Sequence, residues 1–138
     1  MKKALITILA VFLLGVGVFF GYEYITEPKI VDGVLSETVD DKGKPLEVTT
    51  TFAPEDTIYF SAKRNRFWIK EAQVIWYKGE ISKENRILVE EEVIVNKAKY
   101  FSAKLKVPEG LEEGHYSVTT YVKDSDIIET KAEFEVEK

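Results

Sequence analysis

The sequence predicts an all-β fold, an antiparallel β-sandwich of seven or eight strands preceded by one N-terminal transmembrane helix. Three observations predict it: one hydrophobic segment at the N-terminus, apolar–polar alternation through most of the remaining chain, and turn-forming residues about every ten positions. No amphipathic helix of convincing length interrupts the alternation. A chain of 138 residues has room for one domain once the N-terminal segment is set aside.

The N-terminal segment predicts a membrane anchor. Residues 4–22 are apolar apart from one threonine and three glycines. A helix of this length, at ~1.5 Å per residue, spans about 28 Å, which is close to the hydrocarbon thickness of a bilayer. Lys2 and Lys3 precede the segment, while Glu23 and Glu27 follow it. The positive-inside rule therefore places the N-terminus in the cytoplasm and the rest of the chain outside.

A cleaved secretory signal is the alternative, and it also leads to an extracytoplasmic domain. The anchor is favoured because cleavage after the glycines of the segment would expose an apolar new N-terminus, and the sequence has no Ala-x-Ala motif. The predicted location is thus the cell membrane, single-pass, with secretion as the alternative. Residues 1–24 form the anchor or uncleaved signal, residues 25–45 a linker with a weak first strand, and residues 46–138 the sandwich.

Each predicted strand follows from alternation bounded by turn residues. In chain order the predicted strands are 31–39, 46–52, 57–63, 69–78, 87–95, 101–107, 116–123 and 127–137. Val74 and Trp76 are expected on one face of their strand, and Ile75 and Tyr77 on the other. Glu91 falls on the apolar face of its strand, which predicts a bulge or an exposed edge there.

Three features of the chain resemble the immunoglobulin-like superfamily. Residues 111–116 resemble a tyrosine corner, in which the Tyr116 hydroxyl returns to the backbone a few residues upstream. Trp76 resembles the core tryptophan of that superfamily, and Phe134 with Val136 resembles its last strand. The likeness is closer to fibronectin type III and to bacterial or archaeal extracytoplasmic members than to antibody domains.

Val118 stands where antibody domains carry their second cysteine, so the resemblance implies a sandwich without a disulfide. It covers residues 46–138 and implies an immunoglobulin-like fold. That fold serves many functions, so the resemblance implies no particular activity.

Composition and motifs argue against several functions. The chain has no cysteine and one histidine, and it contains no glycine-rich phosphate loop or Gly-x-Ser-x-Gly motif. We therefore expect no enzyme activity, no cofactor and no metal site. His115 is expected in an exposed turn. Asp124 and Asp126 share one turn, but two carboxylates fall short of the roughly six to eight oxygens that calcium takes. A net charge of −5 without a basic patch argues against nucleic acid as a partner.

The segment between the third and fourth predicted strands is the best candidate for a contact surface. It holds two of the three arginines of the chain beside two adjacent aromatic residues, and arginine and tryptophan are frequent in binding hot spots. The candidate partner-contact residues are Arg64, Asn65, Arg66, Phe67 and Trp68.

A structural role for the same segment is the alternative. In that role the two arginines would pair with Asp124 and Asp126 of a neighbouring loop, and Phe67 or Trp68 would cap the core. Exposed ion pairs of this kind contribute little to stability.

The sequence predicts a non-catalytic, membrane-anchored, extracytoplasmic binding or interaction module of the cell envelope. Its expected partners are the membrane, through the N-terminal helix, and a protein or glycan. The latter would bind an end loop or an edge strand, in the second case by strand addition. The alternatives are an inhibitor or accessory subunit of an envelope enzyme, and a purely structural spacer domain.

Overall fold

The computed structural model describes residues 28–95 and 99–138, so the predicted anchor at 1–24 lies outside the described residues. Nine strands and one short 3-10 turn are found in the described part. The strands are β1 (Ile30–Val39), β2 (Pro45–Val48), β3 (Thr51–Phe52), β4 (Ile58–Arg64), β5 (Glu71–Lys78), β6 (Arg86–Ile94), β7 (Tyr100–Leu105), β8 (Gly114–Val122) and β9 (Ile128–Val136). Within the described ranges no helix has the length and apolar character that a membrane span requires.

The strands form two sheets, as predicted for an all-β chain. The order is β2-β1-β4-β7 in the four-stranded sheet and β3-β9-β8-β5-β6 in the five-stranded sheet. Apolar side chains from both sheets form one core. At its centre the Trp76 ring packs edge-to-face against Phe60 and Phe134, with ring centroids 6.4 and 6.1 Å apart. Phe60 belongs to one sheet and the other two rings to its partner sheet, so these contacts join the two layers.

The two faces of β5 match their prediction. Val74 and Trp76 face the main core, while Ile75 and Tyr77 form a second buried cluster with Tyr121 on the outer face of the sheet. Ile81, in the connection between β5 and β6, packs against this outer cluster. Both faces of β5 are therefore covered, which explains why its sequence is apolar on both sides.

The predicted strand over residues 46–52 is two strands in the structure. β2 pairs with β1 in the four-stranded sheet, whereas β3 pairs in parallel with β9 in the five-stranded sheet. Between them, the Thr49 N–H donates to the Leu35 carbonyl and the Glu135 N–H donates to the Thr50 carbonyl. The chain thus crosses from one sheet to the other at residues 49–50. Alternation could not reveal the crossing, because each half keeps the same two-residue period.

β1, predicted as a weak strand, has ten residues and pairs on both sides, with β2 and β4. A bulge at Asp32 and Gly33 interrupts its register with β4. A Cβ atom on Gly33 would lie 2.7 Å from the Thr130 hydroxyl oxygen. Glycine is therefore required where β1 approaches β9.

The predicted tyrosine-corner hydrogen bond is confirmed. The Tyr116 hydroxyl donates to the Glu112 carbonyl at 2.6 Å, and the Tyr116 ring stacks on Phe134 with centroids 5.2 Å apart. Gly114 has a φ of +143°, a conformation that favours glycine. The corner thus fixes the chain that leads into β8.

Replacing Tyr116 with phenylalanine should isolate the contribution of this hydrogen bond. Tyr116→Phe keeps the stacked ring and removes the donor, so the free energy of unfolding should fall by about 1 kcal/mol. Urea denaturation of the purified chain measures it. Tyr59→Phe, at a half-buried position on β4, is the control and should change stability by less than about 0.5 kcal/mol. Equal losses in both variants would contradict a specific role for the corner.

Candidate functional site

The candidate contact residues lie at one end of the sandwich. The start of β1 pairs with the end of β4, Ile30 with Arg64. The start of β5 likewise pairs with the end of β8, Ala72 with Val122. Residues 28–29, 65–70 and 123–127 therefore lie at this end, and so do Val95 and Lys99, which flank the connection from β6 to β7. We call it the leading end, because β1 begins there.

The loop that follows β4 is held by hydrogen bonds to its own backbone. The Arg64 guanidinium donates to the carbonyls of Phe67 and Ile69 at 3.1 and 3.5 Å. The Arg66 guanidinium donates to the Asn65 carbonyl at 2.8 Å, and Arg66 is only 8% exposed. Both arginines therefore shape the loop, and Arg66 is largely withdrawn from the surface on which it was predicted to make contact.

Asn65 ties the loop to the start of β1. Its backbone N–H donates to the Lys29 carbonyl at 2.7 Å, and its side-chain amide donates to the Pro28 carbonyl at 2.9 Å. Two short hydrogen bonds to consecutive residues leave this part of the loop little freedom relative to β1. The position of the loop is therefore linked to the point where the chain enters the sandwich.

The aromatic pair of the loop points into solvent. Phe67 is 80% exposed and Trp68 is 43% exposed, and their rings meet edge-to-face with centroids 5.2 Å apart. The core at this end is closed by Ile69, which is 5% exposed, so the alternative in which Phe67 or Trp68 caps the core is wrong. An exposed pair of large rings is typical of a contact surface.

In the part of the chain that the structure describes, Arg64 does not form the ion pairs with residues 123–127 that the alternative, structural role requires. Within the described ranges its guanidinium meets carbonyl oxygens rather than Asp124 or Asp126. The neighbouring connection is instead tied down by Lys123, whose Nζ lies 2.8 Å from a Glu71 carboxylate oxygen. Arg64 therefore acts within its own loop.

A shallow cleft of about 280 Å³ lies beside Phe67. Its lining residues are Arg64, Asn65, Arg66, Phe67 and Lys99. Three of these side chains are cationic and none is acidic, so the cleft favours an anionic group over a cation. The leading end thus combines an apolar tip with an adjacent cationic cleft.

A second candidate surface, whose residues were not among the predicted contact residues, is the edge strand β6. It ends the five-stranded sheet, and among the described residues it pairs with β5 alone. Ile87, Leu88 and Val89 are 43%, 36% and 37% exposed. Edge strands are normally protected by charges, bulges or proline, because their free backbone groups invite another strand. The unbroken Ile-Leu-Val run was the signal that could have revealed this surface.

The two halves of β6 differ in charge. Ala72 pairs with Val93 and Val74 pairs with Glu90, which leaves one extra residue on β6 between these pairs. The expected bulge or exposed edge at Glu91 is therefore confirmed, because β6 has both. A second irregularity falls at Ile87, because Trp76 pairs with Leu88 and Tyr77 with Arg86. Three consecutive glutamates thus protect one half, whereas the half that contains Ile87 has a register shift but no glutamate.

An open groove of about 530 Å³ separates β6 from β7, and Glu90 and Lys104 are among its lining residues. Burial raises the pKa of the Glu90 carboxyl above its ordinary value, while the Trp76 indole and Lys104 lower it in part. One Glu90 oxygen and the Trp76 indole nitrogen are buried without a well-formed hydrogen bond in the described part. The ionised form of the Glu90 carboxyl is therefore disfavoured in the folded protein.

The remaining polar groups show no convergent chemistry. Over residues 28–95 and 99–138, no three His, Asp or Glu side chains come together as a metal site. His115 lies on β8 instead of in a turn, and its Nδ1 is 2.5 Å from a Glu135 carboxylate oxygen on β9. This exposed cross-strand pair has the geometry of a surface interaction.

Replacing Glu90 with glutamine should stabilise the fold at neutral pH. The pKa of Glu90 is raised in the folded state, so when the pH rises through the ordinary value of 4.5 the carboxyl ionises more readily in the unfolded chain. The free energy of unfolding therefore falls as the pH rises. Glu90→Gln removes this penalty, and its advantage in melting temperature should vanish below that pH. Melting curves at acidic and neutral pH measure it. Glu92→Gln removes the same charge from an exposed position on β6, and the same pH-dependent gain there would contradict a role for burial.

The sequence matches no protein-family model and is similar to no curated protein at a significant level. Its function must therefore be argued from the two surfaces described above. These candidate surfaces are the aromatic loop at the leading end and the apolar half of the β6 edge.

Proposed function

We propose that the protein is a non-catalytic module of the cell envelope, held by its N-terminal segment, whose extracytoplasmic domain binds a partner. The observation that carries the proposal is the exposed β6 edge, where Ile87, Leu88 and Val89 follow one another on the last strand of the described five-stranded sheet. A protein is favoured over a glycan as the partner, because strand addition requires a polypeptide backbone.

The geometry of the edge suits an added strand. Leu88 pairs with Trp76, so its side chain lies on the inner face of the sheet, while Val89 pairs with Ile75 and lies on the outer face. A strand added beside β6 would thus gain apolar contacts on both faces as well as backbone hydrogen bonds. The glutamates of the other half would limit the added strand to the region around Leu88 and Val89, since a second register shift of β6 falls at Ile87.

An immunoglobulin-like type for the domain is part of this proposal. It is supported by the hydrogen bond from Tyr116 to the Glu112 carbonyl and by the fully buried Trp76. The strand order β9-β8-β5-β6 also matches the strand order of one sheet of variable-type immunoglobulin domains, the sheet that contains their last two strands. The non-catalytic part rests on composition, since the chain has no cysteine and one histidine.

The membrane anchor and the outside location rest on the sequence of residues 4–22 and its flanking charges. An accessory subunit or inhibitor of an envelope enzyme would use the same kind of contact surface, so it remains the alternative. A spacer domain is the other alternative, and it would have no specific partner.

Crosslinking and capture from native membranes tests the proposal with two matched variants of the full chain. Ile87→Lys with Val89→Lys places charges on the edge, and Phe67→Ser with Trp68→Ser removes the aromatic pair. Both sites are exposed, so folding should be retained, and circular dichroism verifies it. We expect one defined partner with the intact chain and the loop variant, and loss of that partner with the edge variant.

Retention of the partner by the edge variant would contradict contact through β6. Loss with the loop variant alone would assign the contact to the leading end. Absence of any defined partner in all three samples would favour the spacer.

A further inference from the structure

We infer that the loop Arg64–Trp68 lies on the outer surface of the membrane that holds the N-terminal segment, with Phe67 and Trp68 in the lipid interface. This inference rests on the proposed anchor and does not depend on the proposed protein partner. It assigns the exposed aromatic pair to a lipid surface and leaves the β6 edge to a protein.

The first step is the length of chain between the anchor and the loop. The predicted membrane-spanning segment ends at Tyr22, and Pro28 is six residues further on. Six residues span at most about 21 Å when fully extended. The Asn65 amide donates directly to the Pro28 carbonyl at 2.9 Å. The backbone at the start of the loop is therefore held close to the point where an anchored chain leaves the bilayer.

The second step is the space that this tether leaves. A small folded domain is about 30 Å across, whereas the tether allows at most about 21 Å between the hydrocarbon core of the bilayer and Pro28. The headgroup region itself occupies several Å of that gap, since a bilayer of about 30 Å hydrocarbon thickness measures about 40–45 Å overall. A folded partner does not fit beneath the leading end, so lipid is the surface that Phe67 and Trp68 can meet.

The third step is the distribution of exposed apolar side chains. Phe67 is 80% exposed, Ile94 is 68% exposed and Ile127 is 62% exposed. All three lie at the leading end, because Ile94 pairs with Glu71 at the start of β5 and Ile127 follows β8. Several exposed apolar side chains at one end are costly in water but ordinary at a lipid interface, where aromatic and large aliphatic side chains are buried to a depth of about 5–10 Å.

The fourth step is the charge next to the aromatic tip. The cleft beside Phe67 is lined by Arg64, Arg66 and Lys99, which suits the phosphate of a lipid headgroup. Asp124 and Asp126 lie on the neighbouring connection at the same end, so the overall charge there is mixed. Contact should therefore depend more on the aromatic residues than on anionic lipid.

The tryptophan content of the chain makes the inference directly measurable. The sequence has two tryptophans. Trp76 is fully buried in the core, whereas Trp68 is 43% exposed on the loop. A change in tryptophan fluorescence when the domain contacts lipid therefore comes from Trp68. The variant Trp68→Phe supplies the emission of Trp76 alone, which can be subtracted.

The experiment is tryptophan quenching by brominated phospholipids in the full-length protein, reconstituted into phosphatidylcholine vesicles with and without phosphatidylglycerol. We expect bromine near the headgroup end of the acyl chain to quench the Trp68 emission in both lipid mixtures, and to leave Trp68→Phe unquenched. Phe67→Asp should reduce the quenching while the protein still floats with the vesicles. Val48→Asp changes an equally apolar side chain, 62% exposed on β2, and should leave the quenching unchanged.

Flotation separates the two proposals. A chain that floats with the vesicles but shows no quenching of Trp68 would overturn the inference and leave the anchor intact, with the loop then open to a protein. A chain that does not float would refute the anchor itself, and the inference with it. Quenching that appears only with phosphatidylglycerol would contradict a contact led by the aromatic pair.

Discussion

The fold depends on a group of aromatic rings gathered around Phe134. Three other rings contact it, those of Phe52, Trp76 and Tyr116, with centroids 5.7, 6.1 and 5.2 Å away. Trp76 in turn reaches Phe60 in the opposite sheet. Aromatic pairs of this geometry contribute roughly 0.5–1.5 kcal/mol each beyond the area they bury. In a domain without cysteine, this group joins the two sheets as a disulfide does in antibody domains.

The same group determines where the two surfaces lie. Phe52 belongs to β3, so its contact with Phe134 draws the chain across to the five-stranded sheet after β2. Trp76 fixes β5, which pairs with β6 on one side and β8 on the other. The edge β6 and the connections at the leading end are thus positioned by strands that the aromatic core orders. The shape of the loop is completed by hydrogen bonds from Arg64 within the loop and from Asn65 to the start of the described chain.

The sequence could predict features that depend on a short-range pattern. Alternation along β5 assigned both of its faces, and the spacing before Tyr116 predicted a hydrogen bond that the structure contains. The break between β2 and β3 was not predicted, because the crossing preserves the two-residue period. The burial of Arg66 was not predicted either, because a hydrogen bond from its guanidinium to the carbonyl of the preceding residue has no signature in the sequence.

For the candidate site, the residue types indicated where the segment lies in the sequence, but not which of its side chains are exposed. Adjacent aromatic and basic residues indicated a segment that does expose aromatic rings. Within it, however, Phe67 is exposed, whereas Ile69 and Arg66 are buried. This difference in exposure is set by loop hydrogen bonds that no periodicity describes. Glu91 predicted a bulge or an exposed edge in β6, but its apolar run was not predicted as a contact surface, because such a run is expected equally of a buried strand. The pairing order decides between these, since among the described strands β6 has a neighbour on one side alone.

Anchoring at the leading end would also explain why the two halves of β6 differ. Ile94 pairs with Glu71 near the leading end, whereas Arg86 pairs with Tyr77 at the opposite end of β5. At ~3.3 Å per residue, Leu88 lies about 20 Å further from the leading end than Ile94 does. With the leading end at the bilayer, as proposed, the glutamates would occupy the half of β6 nearer the membrane. The apolar half would lie where a partner has room to approach, so one orientation on the membrane would account both for the exposed aromatic loop and for the different composition of the two halves of the edge.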